Sequence, residues 1–161
     1  MKKYFILMLT AFFATSFSAR TQNIPSWKVE DLQQFMAGND SILVINFWAT
    51  FCKPCVEEMP YVQSISAKYK DKKVTLLLVS LDMKETFPDK IRTFANGRNF
   101  SAPIVWLNET NADYFCPRVD KAWDGAIPST LFLNKKTGYK NFIDHQMKPE
   151  EFEMELKKAL N

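Results

Sequence analysis

The feature that most restricts the fold of this chain is a short apolar run, Ile42-Leu-Val-Ile-Asn-Phe47, that leads almost directly into a pair of cysteines, Cys52-Lys53-Pro54-Cys55. A nearly continuous apolar run of this length reads as a strand buried on both faces, as in parallel sheets. Beyond the cysteines, Val56, Met59, Val62, Ile65 and Tyr69 recur at helical intervals, which predicts a helix from Lys53 to Tyr69 with a kink at Pro60. Val74-Thr-Leu-Leu-Leu-Val-Ser-Leu81 is a second buried run. Parallel neighbours joined by one helix make a right-handed crossover, so a βαβ unit places the cysteines at a strand-to-helix junction.

The flanking sequence extends this α/β pattern. Val29, Leu32, Phe35 and Met36 predict a first helix that stops at Gly38, after a linker over residues 19–26. Pro88 suits the first turn of a helix carrying Ile91, Phe94 and Ala95, and Asn96-Gly97 ends it. Ile104-Val-Trp-Leu107 is a short strand. One or two helical turns from Ala112 to Cys116 are expected to stop near Pro117. Ser129 to Leu133 and Tyr139 to Ile143, joined by the turn Asn134 to Gly138, form an antiparallel hairpin, and Pro149 opens a last helix with Phe152, Leu156, Ala159 and Leu160 on one face. No internal repeat or low-complexity tract interrupts residues 27–161, which read as one domain.

At the N-terminus, Lys2 and Lys3 precede an uncharged apolar stretch from Tyr4 to Phe17 and then small residues, the layout of a secretory signal peptide over residues 1–18. From Tyr4 to Ala19 the stretch falls short of the ~20 residues that span a bilayer. The expectation is an exported protein of the periplasm or cell envelope, whose tie to the membrane is the export signal. Removing Lys2 and Lys3 takes the formal charge from +3 to +1. What remains alternates in sign without a basic stripe interleaved with aromatics, which argues against nucleic acid as a partner.

Cys52 would sit at the N-terminus of its helix, where unpaired backbone N–H groups, the helix dipole and the neighbouring Lys53 favour a thiolate. Cys55, one turn on, is within reach of a disulfide, and Pro54 stiffens the backbone between them. That arrangement suits attack by Cys52 on a disulfide and resolution of the mixed disulfide by Cys55. A metal-handling protein carrying copper or zinc is the alternative, because Cys-x-x-Cys is also metal-ligand spacing. Only Cys116 and His145 could complete a Cys3His set, and neither forms a ligand pair of its own; no metal and no cofactor are expected. A thiol peroxidase is disfavoured because no Pro-x-x-x-Thr-x-x-Cys segment precedes either cysteine.

Asn46-Phe47-Trp48-Ala49-Thr50-Phe51-Cys52-Lys53-Pro54-Cys55-Val56-Glu57-Glu58-Met59-Pro60 resembles the active-site segment of the thioredoxin superfamily, in particular its TlpA and ResA-like exported branch, and Ile127-Pro128-Ser129-Thr130-Leu131-Phe132-Leu133 is similar to its second landmark. The resemblance implies a thioredoxin-like three-layer fold with a central mixed β-sheet flanked by helices. It also implies Cys52 as exposed nucleophile, Cys55 as resolving thiol and a cis peptide before Pro128 beside the disulfide. Implied with these are protein disulfide substrates, a membrane thiol-disulfide electron donor and a place in cytochrome c maturation. Two departures stand out: Phe51 replaces the family's tryptophan before the first cysteine, and the N-terminal part is shortened.

Further candidates divide between chemistry and packing. Glu58 shares the helix face of Cys55 and is the candidate proton acceptor, since Asn46, which stands where cytoplasmic thioredoxins carry a buried aspartate, cannot titrate. Trp48, Phe51, Pro54, Ile127 and Pro128 are the candidate substrate-binding residues, with the Ile127 backbone free to pair with an extended segment. Trp123 and Gly125 precede that loop and could shape it. Cys116 is expected as a small buried hydrophobe, and His145 as a surface residue.

Overall fold

The computed structural model describes residues 22–161; the expected signal peptide over residues 1–18 and the first residues of the expected linker lie outside them. Six strands form one mixed sheet in the order β1-β4-β3-β2-β5-β6, where β1 is Ser26–Trp27, β2 Ile42–Trp48, β3 Val74–Ser80, β4 Ile104–Leu107, β5 Ser129–Asn134 and β6 Tyr139–Ile143. The first four run parallel, while β5 is antiparallel to β2 and β6 to β5. Helices α1 (Val29–Gly38), α2 (Lys53–Lys68), α3 (Asp89–Gly97), α4 (Ala112–Val119) and α5 (Pro149–Leu160) complete the chain order. None of the described helices is long and apolar enough to cross a membrane.

Alternation along β2 generates the three layers. All seven of its residues are buried. Val44 and Trp48 face one core with Met59, Val62 and Ile65 of α2, Ile91 and Ala95 of α3, and Phe152, Leu156 and Ala159 of α5. Leu43, Ile45 and Phe47 face the other, with Val29 and Leu32 of α1 and Phe115, Cys116 and Val119 of α4. A strand buried on both sides needs apolar residues at successive positions, so the sequence shows a run and not an alternation. This is the expected mixed sheet flanked by helices.

Four details differ from the sequence expectations. The linker is partly structured, because Ser26 and Trp27 pair with Trp106 and Leu107 as the edge strand β1, and Ile24 is buried. Two residues with no periodic pattern carry too little signal to be read as a strand. Helix α4 passes Pro117 and ends at Val119. Burial of Phe115, Cys116 and Val119 holds that last turn, and the Asp120 amide closes it by donating to the Cys116 carbonyl. Pro88 is the residue before α3 and follows a cis peptide bond, instead of opening the helix. Helix α2 continues through Pro60 to Lys68, one residue short of Tyr69.

Candidate active site

Cys52 is the residue that caps the N-terminus of α2, and its sulfur accepts from the Cys55 amide at 3.3 Å. Cys52 and Cys55 are joined as a disulfide, with Cα atoms 5.3 Å apart. Cys52 is 7% exposed and Cys55 fully buried, so the little surface that the pair presents belongs to the first cysteine, which is more buried than an exposed nucleophile would be. A buried strand followed at once by a helix produces this placement, since β2 ends at Trp48 and the short turn from Ala49 to Phe51 leads straight to the cap. Lys53 contributes less than its position suggests: it is largely exposed and pairs with Glu57 at 3.7 Å, which places its charge in solvent.

Below the disulfide, Glu58 has no exposed surface. Its Oε1 accepts from Asn46 Nδ2 at 2.8 Å, and the same amide donates to Thr130 Oγ1 at 3.0 Å. Oε2 of Glu58 and Oδ1 of Asn46 have no hydrogen-bond partner of normal geometry among the described residues. Burial raises the Glu58 carboxyl to about 7, against the opposing pull of the Asn46 hydrogen bond, the Met147 backbone and His145. The sequence placed Glu58 on the Cys55 face of α2; that Asn46 is its partner follows from the packing of α2 on β2.

The second landmark lies at the same end of the sheet. Ser129 is opposite Phe47 in the antiparallel pairing, so Pro128 comes next to the end of β2 from which the chain turns to Cys52. The Ile127–Pro128 peptide is cis. Pro128 is buried, while Ile127 is half-buried and packs against both cores. The preceding residue, Ala126, is fixed at three points: its carbonyl accepts from Trp123 Nε1 at 2.9 Å and from the Ser129 hydroxyl, and its amide donates to Asp124 Oδ1 at 2.9 Å. Gly125, at φ 98°, sits in the left-handed region that favours glycine. Trp123 packs its ring on Phe47, Phe115 and Phe142, so it works from beneath the loop.

Among the candidate substrate-binding residues, Phe51 is 66% exposed and Pro54 half-buried, both beside Cys52. Trp48 is a correction. It has no exposed surface, and its ring packs against Phe94 and Phe100 at centroid distances of 6.2 and 5.2 Å. Its position on β2 points it into the core under α3, where a substrate cannot reach it. Cys116 lies in the core on the opposite side of the sheet from the disulfide, and burial pushes its thiol up to about 11. His145 is on the surface with Asp144 and Glu151, and among the described residues no three histidine, cysteine or acidic side chains converge as a metal cluster would require.

A residue that the sequence reading passed over is Asp82, just beyond β3. Its carboxylate accepts from the Thr50 amide at 3.1 Å, from the Thr50 hydroxyl at 2.5 Å and from the Ser80 hydroxyl at 2.8 Å, while its carbonyl accepts from Trp106 Nε1 at 2.7 Å. These bonds fix the turn that presents Cys52. The available signal was positional: Asp82 follows the strand next to β2, at the carboxyl end of a parallel sheet, where α/β proteins build their sites.

Known proteins bear on this geometry. A thiol-disulfide oxidoreductase ResA from Oceanobacillus iheyensis is 50% identical over 91 residues, which cover 56% of this chain and 43% of that protein. A second protein of that name, from Bacillus thuringiensis subsp. konkukian, is 50% identical over 122 residues, covering 72% of this chain and 60% of its own. The chain thus matches less than two thirds of the length of either relative. A thioredoxin-related protein from Neisseria meningitidis serogroup B superposes with a TM-score of 0.63 at 26% identity, covering 75% of this chain and 86% of its own. The model of the AhpC/TSA family matches residues 13–138. Because that match spans the cysteine pair, the cis-proline and most of the sheet between them, this chain belongs to the AhpC/TSA family, with a thioredoxin-like fold.

Proposed function

We propose that the protein is a thiol-disulfide oxidoreductase that reduces disulfides in protein substrates. The observation that carries this reading is the Cys52–Cys55 disulfide at the N-terminus of α2, with Cys52, the less buried of the two, as the cap residue. In the reduced protein, the Cys52 thiolate faces the free amides of the first helical turn, which stabilise it. It attacks one sulfur of a substrate disulfide, forms a mixed disulfide and releases the other substrate sulfur as a thiolate. Cys55 then loses its proton to Glu58 and attacks Cys52. The products are a substrate dithiol and the Cys52–Cys55 disulfide, a transfer of two electrons and two protons. A carboxyl near pH 7 in its ionisation is suited to accept that proton.

The reducing direction needs a supply of electrons. The signal-like N-terminus supports a reading in which the protein works in the periplasm or cell envelope, recharged by a membrane thiol-disulfide donor and acting on proteins such as an apocytochrome c. The names of the ResA relatives support the chemistry. Metal handling is not favoured, because Cys116 and His145 are held in other parts of the molecule. Exporting a Cys55→Ser form tests the reading: mixed disulfides accumulate on Cys52, and mass spectrometry identifies the trapped proteins. Absence of trapped partners, with metal retained by the purified parent chain, would support the metal-handling alternative.

A further inference from the structure

We propose that His145 discharges Glu58: the proton that Glu58 takes from Cys55 leaves through the segment Asp144 to Lys148, and the His145 imidazole passes it to solvent. The proposal rests on the oxidoreductase reading with Glu58 as proton acceptor, and adds the step that readies that group for another cycle. Glu58 has no exposed surface, and each resolution step loads it with a proton. Unless the proton is passed on, the base works once.

Among the described residues, the neighbours of the carboxyl differ in what they can pass on. Toward β2 and β5 lie Asn46 and, beyond it, Thr130, both buried, and neither an amide nor a hydroxyl takes up a charge at neutral pH. Toward the start of α2 lies Cys55, fully buried and closed into the disulfide by the reaction itself. The remaining side is the segment between β6 and α5. The Met147 amide and the His145 charge both bear on the Glu58 carboxyl and favour its ionised form. Tyr61, three residues after Glu58 on α2, donates its hydroxyl to the Met147 carbonyl, which fastens the segment over the turn that carries the acid. Met147 is buried, while His145 and Lys148 are exposed, so the segment runs from core to solvent within two residues.

The imidazole is held in a way that suits a proton carrier. Its Nε2 lies 3.1 Å from Glu151 Oε1 and its Nδ1 3.6 Å from Asp144 Oδ1. With the Nε2 hydrogen turned to Glu151, Nδ1 is left to accept, and Asp144 steadies the imidazolium that results. The hydrogen bond to Glu151 raises the imidazole above its ordinary 6.5, so it takes a proton from a carboxyl that titrates at about 7 without a steep climb. Other charged or titratable groups on the flanking elements do not offer this path. Burial pushes the Tyr61 hydroxyl up to about 12, Glu57 is turned to solvent beside Lys53, and Lys148 is an exposed cation with no acceptor. In the transfer Glu58 returns to the carboxylate, water admitted along the segment carries the proton to Nδ1, and the imidazolium releases it to bulk solvent. No electrons move in this step.

The test mixes the reduced protein, freed of reductant and in weak buffer just above neutral pH, with an aryl disulfide whose thiolates stay ionised there. Complete reaction turns the Cys52 thiolate and the Cys55 thiol into the disulfide and yields two aryl thiolates and one proton. In stopped flow, thiolate absorbance times the resolution step and a pH-indicator dye times proton release. In the parent the dye follows the second thiolate without a lag. In His145→Gln the dye lags it by about tenfold, short of the ~10²-fold effect of a fully positioned acid or base because water supplies a slower parallel path, and added imidazole removes the lag. Coincident traces in His145→Gln overturn the discharge role and leave the oxidoreductase reading intact. A lag that imidazole does not shorten also overturns it, since the residue then acts through the shape of the segment. A parent chain that releases no aryl thiolate overturns both.

Discussion

Glu58 on α2 receives a 2.8 Å hydrogen bond from Asn46 in the middle of β2, and both residues are fully buried. The pair joins the helix that carries the disulfide to the central strand. It also leaves Glu58 with one oxygen satisfied by a neutral amide, a setting in which the protonated carboxyl is favoured over the carboxylate.

The first prediction follows from that setting and concerns proton transfer. Glu58→Gln keeps an acceptor for Asn46 but cannot take the Cys55 proton. Resolution of the mixed disulfide by this variant is expected to slow by 10²-fold or more near neutral pH, in the range typical of a positioned base. Glu57→Gln, on an exposed and solvated side chain, should change little. Stopped-flow resolution rates across pH 5 to 9 check this, and superimposable profiles for Glu58→Gln and the parent would refute the base role.

The same group links stability to pH, with a sign opposite to that of a salt-bridged carboxylate. The folded carboxyl titrates at about 7 and the unfolded one near 4.5, so the folded protein holds the proton more tightly. Stability from this group is present below pH 4.5 and is lost as the pH rises to about 7, by about 3 kcal/mol in all. Urea unfolding should show that decline in the parent relative to Glu58→Gln. A parent-minus-variant difference that stays constant from pH 4.5 to 8 would contradict it.

Cysteine replacements should separate chemistry from packing. Cys52→Ser is expected to abolish insulin reduction, and Cys116→Ser to preserve it, because Cys116 is buried across the sheet and its thiol titrates at about 11. Turbidity of precipitating insulin chains measures both, and activity remaining in Cys52→Ser would remove the basis of the assignment.

Trp123 offers a test of the loop before Pro128. Trp123→Phe retains an aromatic ring on Phe47 and Phe142 and deletes the N–H donated to the Ala126 carbonyl. With one of its fixing bonds gone, Ala126 should hold Ile127 less firmly. The expected result is a KM for a protein disulfide raised about fivefold, in line with the net value of one hydrogen bond, with kcat little changed. An equal fall in kcat and a normal KM would show that Trp123 acts elsewhere.

Asp82 should matter to the fold of the site itself. Asp82→Ala leaves the Thr50 amide and hydroxyl and the Ser80 hydroxyl without their acceptor. A destabilisation of about 3 kcal/mol is expected, as for loss of buried hydrogen bonds to a charged group, measured by denaturant unfolding of the oxidised protein. A variant as stable as the parent would mean that water replaces the carboxylate there.

Much of this molecule was legible in the sequence, because its main elements carry strong local signals. The apolar runs of β2 and β3 are continuous since both faces of those strands are covered, and the periodic residues of α2 and α5 mark the sides that cover them. The spacing of Cys52 and Cys55 and the place of Glu58 one turn later are likewise local, fixed by helical geometry. Tertiary structure decided what depends on partners distant in the chain. The two-residue strand β1 exists only because Trp106 and Leu107 offer it an edge. Trp48, adjacent in sequence to the reactive turn, is withdrawn into the core because a strand sends successive side chains to opposite faces and α3 closes over its side. Asn46 meets Glu58 twelve residues away, and Asp82 clasps Thr50 thirty-two residues away. No periodicity announces such pairs: they form where the carboxyl ends of neighbouring strands come together, and hydrogen bonding between polar groups removed from water specifies them.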